Sequence, residues 1–212
     1  LEHLVMLYGA TVTIWDASYR QIVKPESLEL VYGPAAAVWK KHPQRKVVRN
    51  ADLVFSPSGK LEPGQVNMFE GLPIKPDGRK SCGRLVSLLY SLCGEDDGLF
   101  EWVSRWLAFP LQHPGAKMHT ALIFHGRLEG TGKTLFFSAI REIYGRFSTV
   151  IGQHQLNSPY SAWMSNKLFA LAEEVLTQQE KKLQKGYIKH LVSNDVLQIE
   201  EKFLPLREER NM

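Results

Sequence analysis

The feature that most constrains this chain is an apolar run that leads into a glycine-rich loop and then into an amphipathic helix. The run, residues 121–124, is typical of a strand buried on both faces. The loop, residues 126–132, carries three glycines and is followed by Lys133 and Thr134. The helix extends to a terminating Gly145. A strand, a glycine loop, a Lys-Thr pair and a helix in this order predict an α/β core with an anion site at the helix N-terminus.

Glycines in such a loop let successive backbone N–H groups point at a di- or triphosphate. We predict that Lys133 reaches the β- and γ-phosphates of ATP and that the Thr134 hydroxyl binds the bridging Mg²⁺. The standard spacing places the first glycine five positions before Gly132, where this chain has Arg127, with Gly126 one residue further back. The beginning of the loop is therefore atypical. The predicted nucleotide contacts are Gly126, Glu129, Gly130, Thr131, Gly132, Lys133 and Thr134.

Two adjacent carboxylates, Glu173 and Glu174, follow a second apolar run about forty residues after the loop. In open α/β sheets, ligands lie at the carboxyl ends of the strands. Adjacent strand residues point to opposite faces, so the two glutamates are expected to differ in role. We predict that Glu173 holds Mg²⁺ and that Glu174 orients and polarises the attacking water. Taken alone, the pair has an alternative interpretation as a solvated acidic strand end.

Apolar periodicity before the loop predicts further elements. Apolar residues at 85, 88, 89 and 92 predict one helix, and those at 100, 103, 107 and 111 predict a second. Earlier in the chain, short apolar runs, including residues 28–32, are separated by glycine and proline, which favours strands and loops. We predict a strand- and loop-rich N-terminal region over 1–78, a helical segment over 79–118 and a partial P-loop ATPase core over 119–212.

Composition excludes several classes of protein. Hydrophobic residues at 44% and charged residues at 23% argue against a disordered, collagen-like or coiled-coil chain. No apolar stretch approaches the roughly 18 residues of a membrane-spanning helix, so we expect a cytoplasmic protein with no membrane partner. Leu1 and Met212 do not resemble natural termini, and we expect a fragment. No metal other than nucleotide-bound Mg²⁺ is predicted.

A basic stretch, residues 39–49, combines Trp39 with several lysines and arginines. Cations neutralise backbone phosphates, and an aromatic ring stacks on a base. Lys40, Lys41 and Arg45 are the predicted DNA contacts, with Trp39 as the stacking residue. A solvated loop is the alternative, because charge runs are usually surface.

Together these motifs resemble the primase-helicase proteins of phages and plasmids, whose motor is a superfamily 3 helicase. Two further elements are similar to that family: Asn-Met-Phe-Glu-Gly at 67–71, and Trp-Leu-Ala at 106–108 followed by Pro114. The resemblance covers residues 30–212. It implies an AAA+-like P-loop core, hydrolysis of ATP with Mg²⁺, a hexameric ring on single-stranded DNA, and a bacterial host cytoplasm. It also implies that Lys202 contacts DNA.

The resemblance further implies an Asn-ended strand and a trans-acting arginine beyond residues 199–202. This sequence contains neither, so we expect the core to be incomplete and the isolated chain to be poorly active. Asn211 precedes that strand and is not assigned its role. Two other functions stay open: a nucleotide- or DNA-binding fragment without turnover, and a P-loop phosphotransferase that acts on a small molecule.

Overall fold

The computed structural model describes residues 1–126, 128–173, 181–202 and 206–212, with the side chains of 181–185 excepted. The chain forms two units, Leu1–Gly71 and Leu72–Met212. Both combine helices with small sheets, so the α/β class predicted from the sequence is confirmed.

A mixed four-stranded sheet forms the centre of the first unit. Its strands are β1 (Leu4–Tyr8), β2 (Thr13–Asp16), β3 (Gln21–Val23) and β4 (Lys46–Arg49). They lie in the order β3-β2-β1-β4, with β1 antiparallel to β2 and parallel to β4. A parallel neighbour requires a crossover connection, which the chain makes between β3 and β4.

Two helices form this crossover, α1 (Pro25–Tyr32) and α2 (Pro34–Lys41). The prediction of a strand or loop for residues 28–32 is therefore wrong. Pro25 and Pro34 stand at the first helical position, where the missing N–H has no intrahelical role and the fixed φ suits the helix. Helices of eight residues are too short to display a clear 3.6-residue periodicity.

Alternating residues of β1 are buried on the two faces of this sheet. Leu4 packs on the face that carries the helices, whereas Val5 packs on the other. The second face is covered in part by residues of two short parallel strands, β5 (Leu53–Val54) and β6 (Val66–Asn67). The helical face contains Leu4, Ile14, Leu28, Ala36 and Trp39, and the other contains Val5, Leu7, Trp15 and Val48.

Three helices form the core of the second unit: α3 (Gly83–Leu92), α4 (Asp97–Gln112) and α5 (Lys133–Tyr144). All three confirm the helices predicted from apolar spacing. Asp96 caps α4, because its Oδ1 accepts the backbone N–H of Leu99 at 2.7 Å. The buried residues that join the three helices are Leu89, Cys93, Val103 and Phe136.

Residues 121–124, predicted as a strand buried on both faces, form no strand. Leu122 and Phe124 pack against the core of α3–α5, but Ile123 is 81% exposed. The N–H and C=O groups of a strand need hydrogen-bond partners on a neighbouring backbone. Within the described residues, this run pairs with no other segment. The prediction is therefore wrong about both the strand and the double burial.

A parallel pair of strands follows α5, namely β7 (Ser148–Ile151) and β8 (Phe169–Ala172), with the short helix α6 (Gln153–Asn157) between them. Phe169 at the start of β8 stacks on Tyr144 at the end of α5, with ring centroids 5.2 Å apart. Burial raises the pKa of Tyr144 to about 12. The chain then forms α7 (Lys181–Ser193) and an antiparallel hairpin of β9 (Val196–Ile199) and β10 (Arg207–Arg210).

Candidate functional site

The glycine loop, residues 126–132, places two left-handed backbone conformations shortly before α5. Gly130 has a φ of +70°, and Gly132, the residue that caps the helix, has a φ of +87°. Lys133 is thus the first helical residue, and the N–H groups of a first helical turn have no intrahelical acceptor. Free N–H groups at a helix start that follows a glycine loop are the kind of backbone donor that suits an anion. Arg127 lies outside the described residues.

The Lys133 ammonium group lies over the loop. Its Nζ donates to the Thr131 hydroxyl at 2.8 Å and to the Leu128 carbonyl at 3.3 Å. A Cβ placed on Gly126 would be 3.8 Å from the same nitrogen, so the ammonium also approaches the beginning of the loop. Two oxygen acceptors therefore hold the cation over the loop.

Most of the other predicted nucleotide contacts are open to solvent. The exposed ones are Gly126, Glu129, Gly130, Thr131 and Thr134, whereas Gly132 and Lys133 are half-buried. Thr134 follows Lys133 in the first turn of α5, so this exposed residue lies at the positive end of the helix. The structure therefore places these residues on the glycine loop and the first turn of α5, most of them open to solvent.

Sequence reasoning did not foresee that α3 would support this loop. A Cβ placed on Gly132 would lie 2.8 Å from Cδ1 of Leu88, closer than real side chains pack. The periodicity predicts that Leu88 lies on the buried face of its helix, but spacing along a chain carries no information about which other segment that face contacts. Leu88 of α3 thus packs against the end of the glycine loop.

Replacing Gly132 with alanine is expected to reduce the free energy of unfolding by about 1–3 kcal/mol, since the change adds left-handed strain and forces Leu88 to move. Gly130→Ala is the matched control: its φ is also positive, but nothing lies within 4 Å of the added Cβ. The control should lose only about 1 kcal/mol. Urea denaturation measures both values, and equal losses would contradict the proposed Leu88 contact.

Glu173 directly follows β8 and is exposed. Its backbone N–H donates to the Ile151 carbonyl at 3.2 Å, which continues the β7–β8 pairing to this residue. Because the first residue of β8 stacks on the end of α5, Glu173 lies at the strand end remote from that stack. Glu174 lies outside the described residues, so the division of roles between the two carboxylates stays a prediction.

Lys202 lies in the turn between β9 and β10 and is exposed. The basic stretch has a different setting in the first unit. Lys40 forms an ion pair with Glu29 at 2.9 Å, Lys41 is exposed, and Arg45 donates to the His42 carbonyl at 3.1 Å. The structure places these cations along the end of α2 and the segment before β4.

The prediction that Trp39 stacks on a base is wrong. Its side chain is only 9% exposed and packs in the core under the four-stranded sheet. Helical geometry explains the error, because Trp39 and Ala36 lie three residues apart on the same face of α2, and that face is the buried one. The charged residues that follow Trp39 in the sequence suggest an exposed segment, although Trp39 itself is buried.

Two elements that carry the family resemblance make structural contacts. The Asn67 side chain accepts the N–H groups of Ser56 and Phe69 and donates to the Ser56 carbonyl, which closes the loop between β5 and β6. The Trp106 indole N–H donates to the Thr120 hydroxyl at 2.8 Å and ties α4 to the residue before the apolar run. Both side chains hold connections in place.

Lys117 was not singled out by the sequence, yet it joins the segment before the glycine loop to α7. Its Nζ donates to the Leu191 carbonyl at 3.0 Å, and burial lowers the pKa of this ammonium, partly offset by Asp195. Asn211 Nδ2 donates to the same carbonyl at 2.7 Å and to that of Asn194 at 2.6 Å. These side chains therefore satisfy carbonyls at the end of α7.

Across the residues that the structure describes, no helix is long and apolar enough to cross a membrane. Over the same part of the chain, no three His, Cys, Asp or Glu side chains are grouped as metal ligands.

The fold is similar to solved structures of the NrS-1 C terminal region. The apo structure of that region (305-718) is 23% identical with a TM-score of 0.77, and the match covers 99% of this chain and 52% of that chain. The A form apo structure is 22% identical with a TM-score of 0.78, over 99% of this chain and 52% of that chain. This chain therefore spans about half the length of those structures.

Residues 124–212 match the model of a family of unknown function, DUF5906. The match begins just before the glycine loop and includes α5, the β7–β8 pair and the β9–β10 hairpin. No curated protein matches the chain.

Proposed function

We propose that this chain is part of an ATP-driven motor of the superfamily 3 helicase type, which acts on single-stranded DNA during phage or plasmid replication. The observation that carries the proposal is the glycine loop, with Gly132 capping α5 and the Lys133 ammonium held over the loop. A phosphate that entered this loop would meet the ammonium, the helix N-terminus and the loop N–H groups together. The similarity of fold to the NrS-1 C terminal region is compatible with this proposal.

ATP and Mg²⁺ are the ligands that this donor set suits. Lys133 would leave the Thr131 hydroxyl and the Leu128 carbonyl for the β- and γ-phosphates, which accept charge-assisted hydrogen bonds more strongly. The Thr134 hydroxyl and the Glu173 carboxylate are oxygen ligands of the kind that Mg²⁺ prefers. When bound, Mg²⁺ neutralises charge on the phosphates. Glu174 remains our choice for orienting and polarising water.

The proposed DNA contacts belong to both units of the chain. Lys202 lies on the turn of the β9–β10 hairpin. A cation there can reach the phosphate backbone of a DNA strand without desolvating a large protein surface. Lys40, Lys41 and Arg45 form a second cationic surface in the first unit, although Lys40 is partly neutralised by Glu29. The family resemblance implies a hexameric ring. In such a ring, the hairpin turns would face the single-stranded DNA at its centre.

Two other functions can be distinguished from this one by what happens to bound ATP. A fragment that binds nucleotide or DNA without turnover has the same loop and the same cations but no hydrolysis. A small-molecule phosphotransferase would move the phosphoryl group to an acceptor other than water. The exposed Lys202 on the hairpin turn favours the motor, because a DNA backbone phosphate can pair with a cation there.

The test measures ATP binding and phosphate release by the chain with and without single-stranded oligo(dT). We expect Mg-ATP binding and a low basal rate of phosphate release, because the isolated chain is expected to be poorly active. At ATP concentrations below saturation, oligo(dT) should raise that rate several-fold, since coupling between two ligands typically changes affinity by about 5–150-fold. Binding without any hydrolysis would support the second function. Phosphoryl transfer to a small acceptor that is indifferent to DNA would support the third.

A further inference from the structure

A hydrogen-bonded network joins the β9–β10 hairpin to the chain that leads into β8. Glu209 of β10 accepts the Ser165 hydroxyl at 2.7 Å through Oε1 and the Asn166 backbone N–H at 3.2 Å through Oε2. Arg207 Nε donates to the same Oε1 at 2.9 Å. We call these four residues, Ser165, Asn166, Arg207 and Glu209, the hairpin latch.

The latch requires a carboxylate, because both of its oxygens act as acceptors at once. Three donors converge on the negatively charged Glu209 carboxylate, so all three bonds are charge-assisted, and the Arg207 guanidinium adds the opposite charge to one of them. An amide at this position could offer one acceptor only and would turn an N–H₂ group towards a donor. The side chain of Glu209 is 22% exposed, so water would compensate little of the loss.

On one side, the latch is joined through β8 to Glu173, which follows the opposite end of that strand. Asn166 has a left-handed φ of +57° and is two residues before Leu168, whose N–H donates to the Phe147 carbonyl at 2.7 Å. That bond begins the β7–β8 pairing, which continues to the Glu173 N–H. A continuous hydrogen-bonded strand therefore runs from the latch to Glu173.

On the other side, the latch holds the hairpin that carries Lys202. Arg207 also donates to Glu201 at 3.0 Å, and Glu201 is the neighbour of Lys202 in the chain. Ser161 fixes the other strand of the hairpin, since its N–H donates to the Glu200 carbonyl and its hydroxyl to the Gln198 carbonyl, both at 2.9 Å. A two-stranded hairpin is at best marginally stable alone, so these bonds set its position.

We infer that Glu209 is a positioning residue that couples the DNA-contacting turn at Lys202 to the carboxylate strand ending at Glu173. The coupling rests on the proposed function, because it assigns DNA to the hairpin and Mg-ATP to the strand end. When DNA bound at Lys202 displaces the turn, β10 moves with it. The hydrogen bond between Glu209 and Asn166 then shifts Asn166 and β8. DNA binding would thereby change the setting of Glu173 relative to the bound phosphates.

The first arm of the test uses no DNA and compares Glu209→Gln with Glu208→Gln in the full chain. Glu208 is the adjacent residue of β10 and is exposed, so the control removes the same charge without touching the latch. We expect amide hydrogen exchange at 166–173 to become about tenfold faster in Glu209→Gln alone, the effect of losing a charge-assisted bond. Unchanged exchange there would overturn the latch.

Ser165→Ala is the second variant, because it removes one donor and keeps the carboxylate. It should accelerate exchange of the same amides by a smaller factor. Circular dichroism compares the folded content of all variants. Should Glu209→Gln be unfolded, Ser165→Ala decides the question alone, and exchange as slow as that of the unaltered chain would count against the latch.

The second arm adds oligo(dT) and follows exchange at 168–173. We expect oligo(dT) to alter this exchange in the unaltered chain and in Glu208→Gln, and to leave it unaltered in Glu209→Gln although the affinity for oligo(dT) is retained. An equal response in Glu209→Gln would overturn the coupling. Failure of every variant to bind oligo(dT) would refute the proposed function and the coupling, whereas the DNA-free arm would still decide whether the latch exists.

Discussion

Lys133→Ala is expected to weaken binding of Mg-ATP by about 100-fold or more. The ammonium would make charge-assisted hydrogen bonds to phosphate oxygens, each worth roughly 1.5–3 kcal/mol, and every tenfold loss in affinity corresponds to about 1.4 kcal/mol. Alanine leaves the loop N–H groups and the helix N-terminus in place, so residual binding is expected. Isothermal titration with ATP and Mg²⁺ measures the difference.

The matched control for this change is Arg141→Ala. Arg141 is also a cation of α5, but it lies in the last turn of the helix, at the end opposite to the glycine loop. Its replacement should leave the affinity for Mg-ATP unchanged. If Lys133→Ala and Arg141→Ala bound Mg-ATP equally well, the loop would not be the nucleotide site, and the proposed motor would lose its main support.

Trp39→Ala is expected to lower the free energy of unfolding by about 3–5 kcal/mol, because removal of a large buried aromatic side chain leaves a cavity. Trp39 is 9% exposed and packs with Leu4, Ile14 and Leu28. Many small domains are stable by only about 5–15 kcal/mol, so much of the first unit's stability should be lost. Urea denaturation followed by circular dichroism reports the change.

The neighbouring Val38→Ala serves as the control, since Val38 is 67% exposed on the same helix. Surface substitutions of this kind usually change stability by less than about 0.5 kcal/mol. A different result would restore the DNA interpretation of Trp39: unchanged stability together with weaker binding of oligo(dT). That outcome would mean that the ring leaves the core to stack on a base.

The helices around the glycine loop were predictable because their information is local. An amphipathic stripe at helical spacing reports burial directly, and α3, α4 and α5 lie where their apolar residues predicted them. The glycines at positions 130 and 132 likewise indicate positive φ values, because other residues are strained in that conformation. The chemistry proposed for Lys133 follows from this same short segment.

The sequence-based predictions are wrong where the burial of a residue depends on a segment from elsewhere in the chain. Residues 121–124 are as apolar as a central strand, but Ile123 is exposed because no described strand lies beside it. Trp39 lies within a charge run, yet its face of α2 is covered by the sheet. Apolar content predicts a need for burial, whereas the neighbouring elements determine whether it is met.

Local sequence was sufficient for the glycine loop, its helix and the choice of residues proposed to bind phosphate, since each of these depends on backbone conformation and charge within a few positions. The contact of Gly132 with Leu88 joins residues more than forty positions apart, as does the Glu209 bond to Ser165. No periodicity or motif encodes such a pair, because a hydrogen bond or a van der Waals contact depends on distance in space. The folded chain alone brings those side chains together.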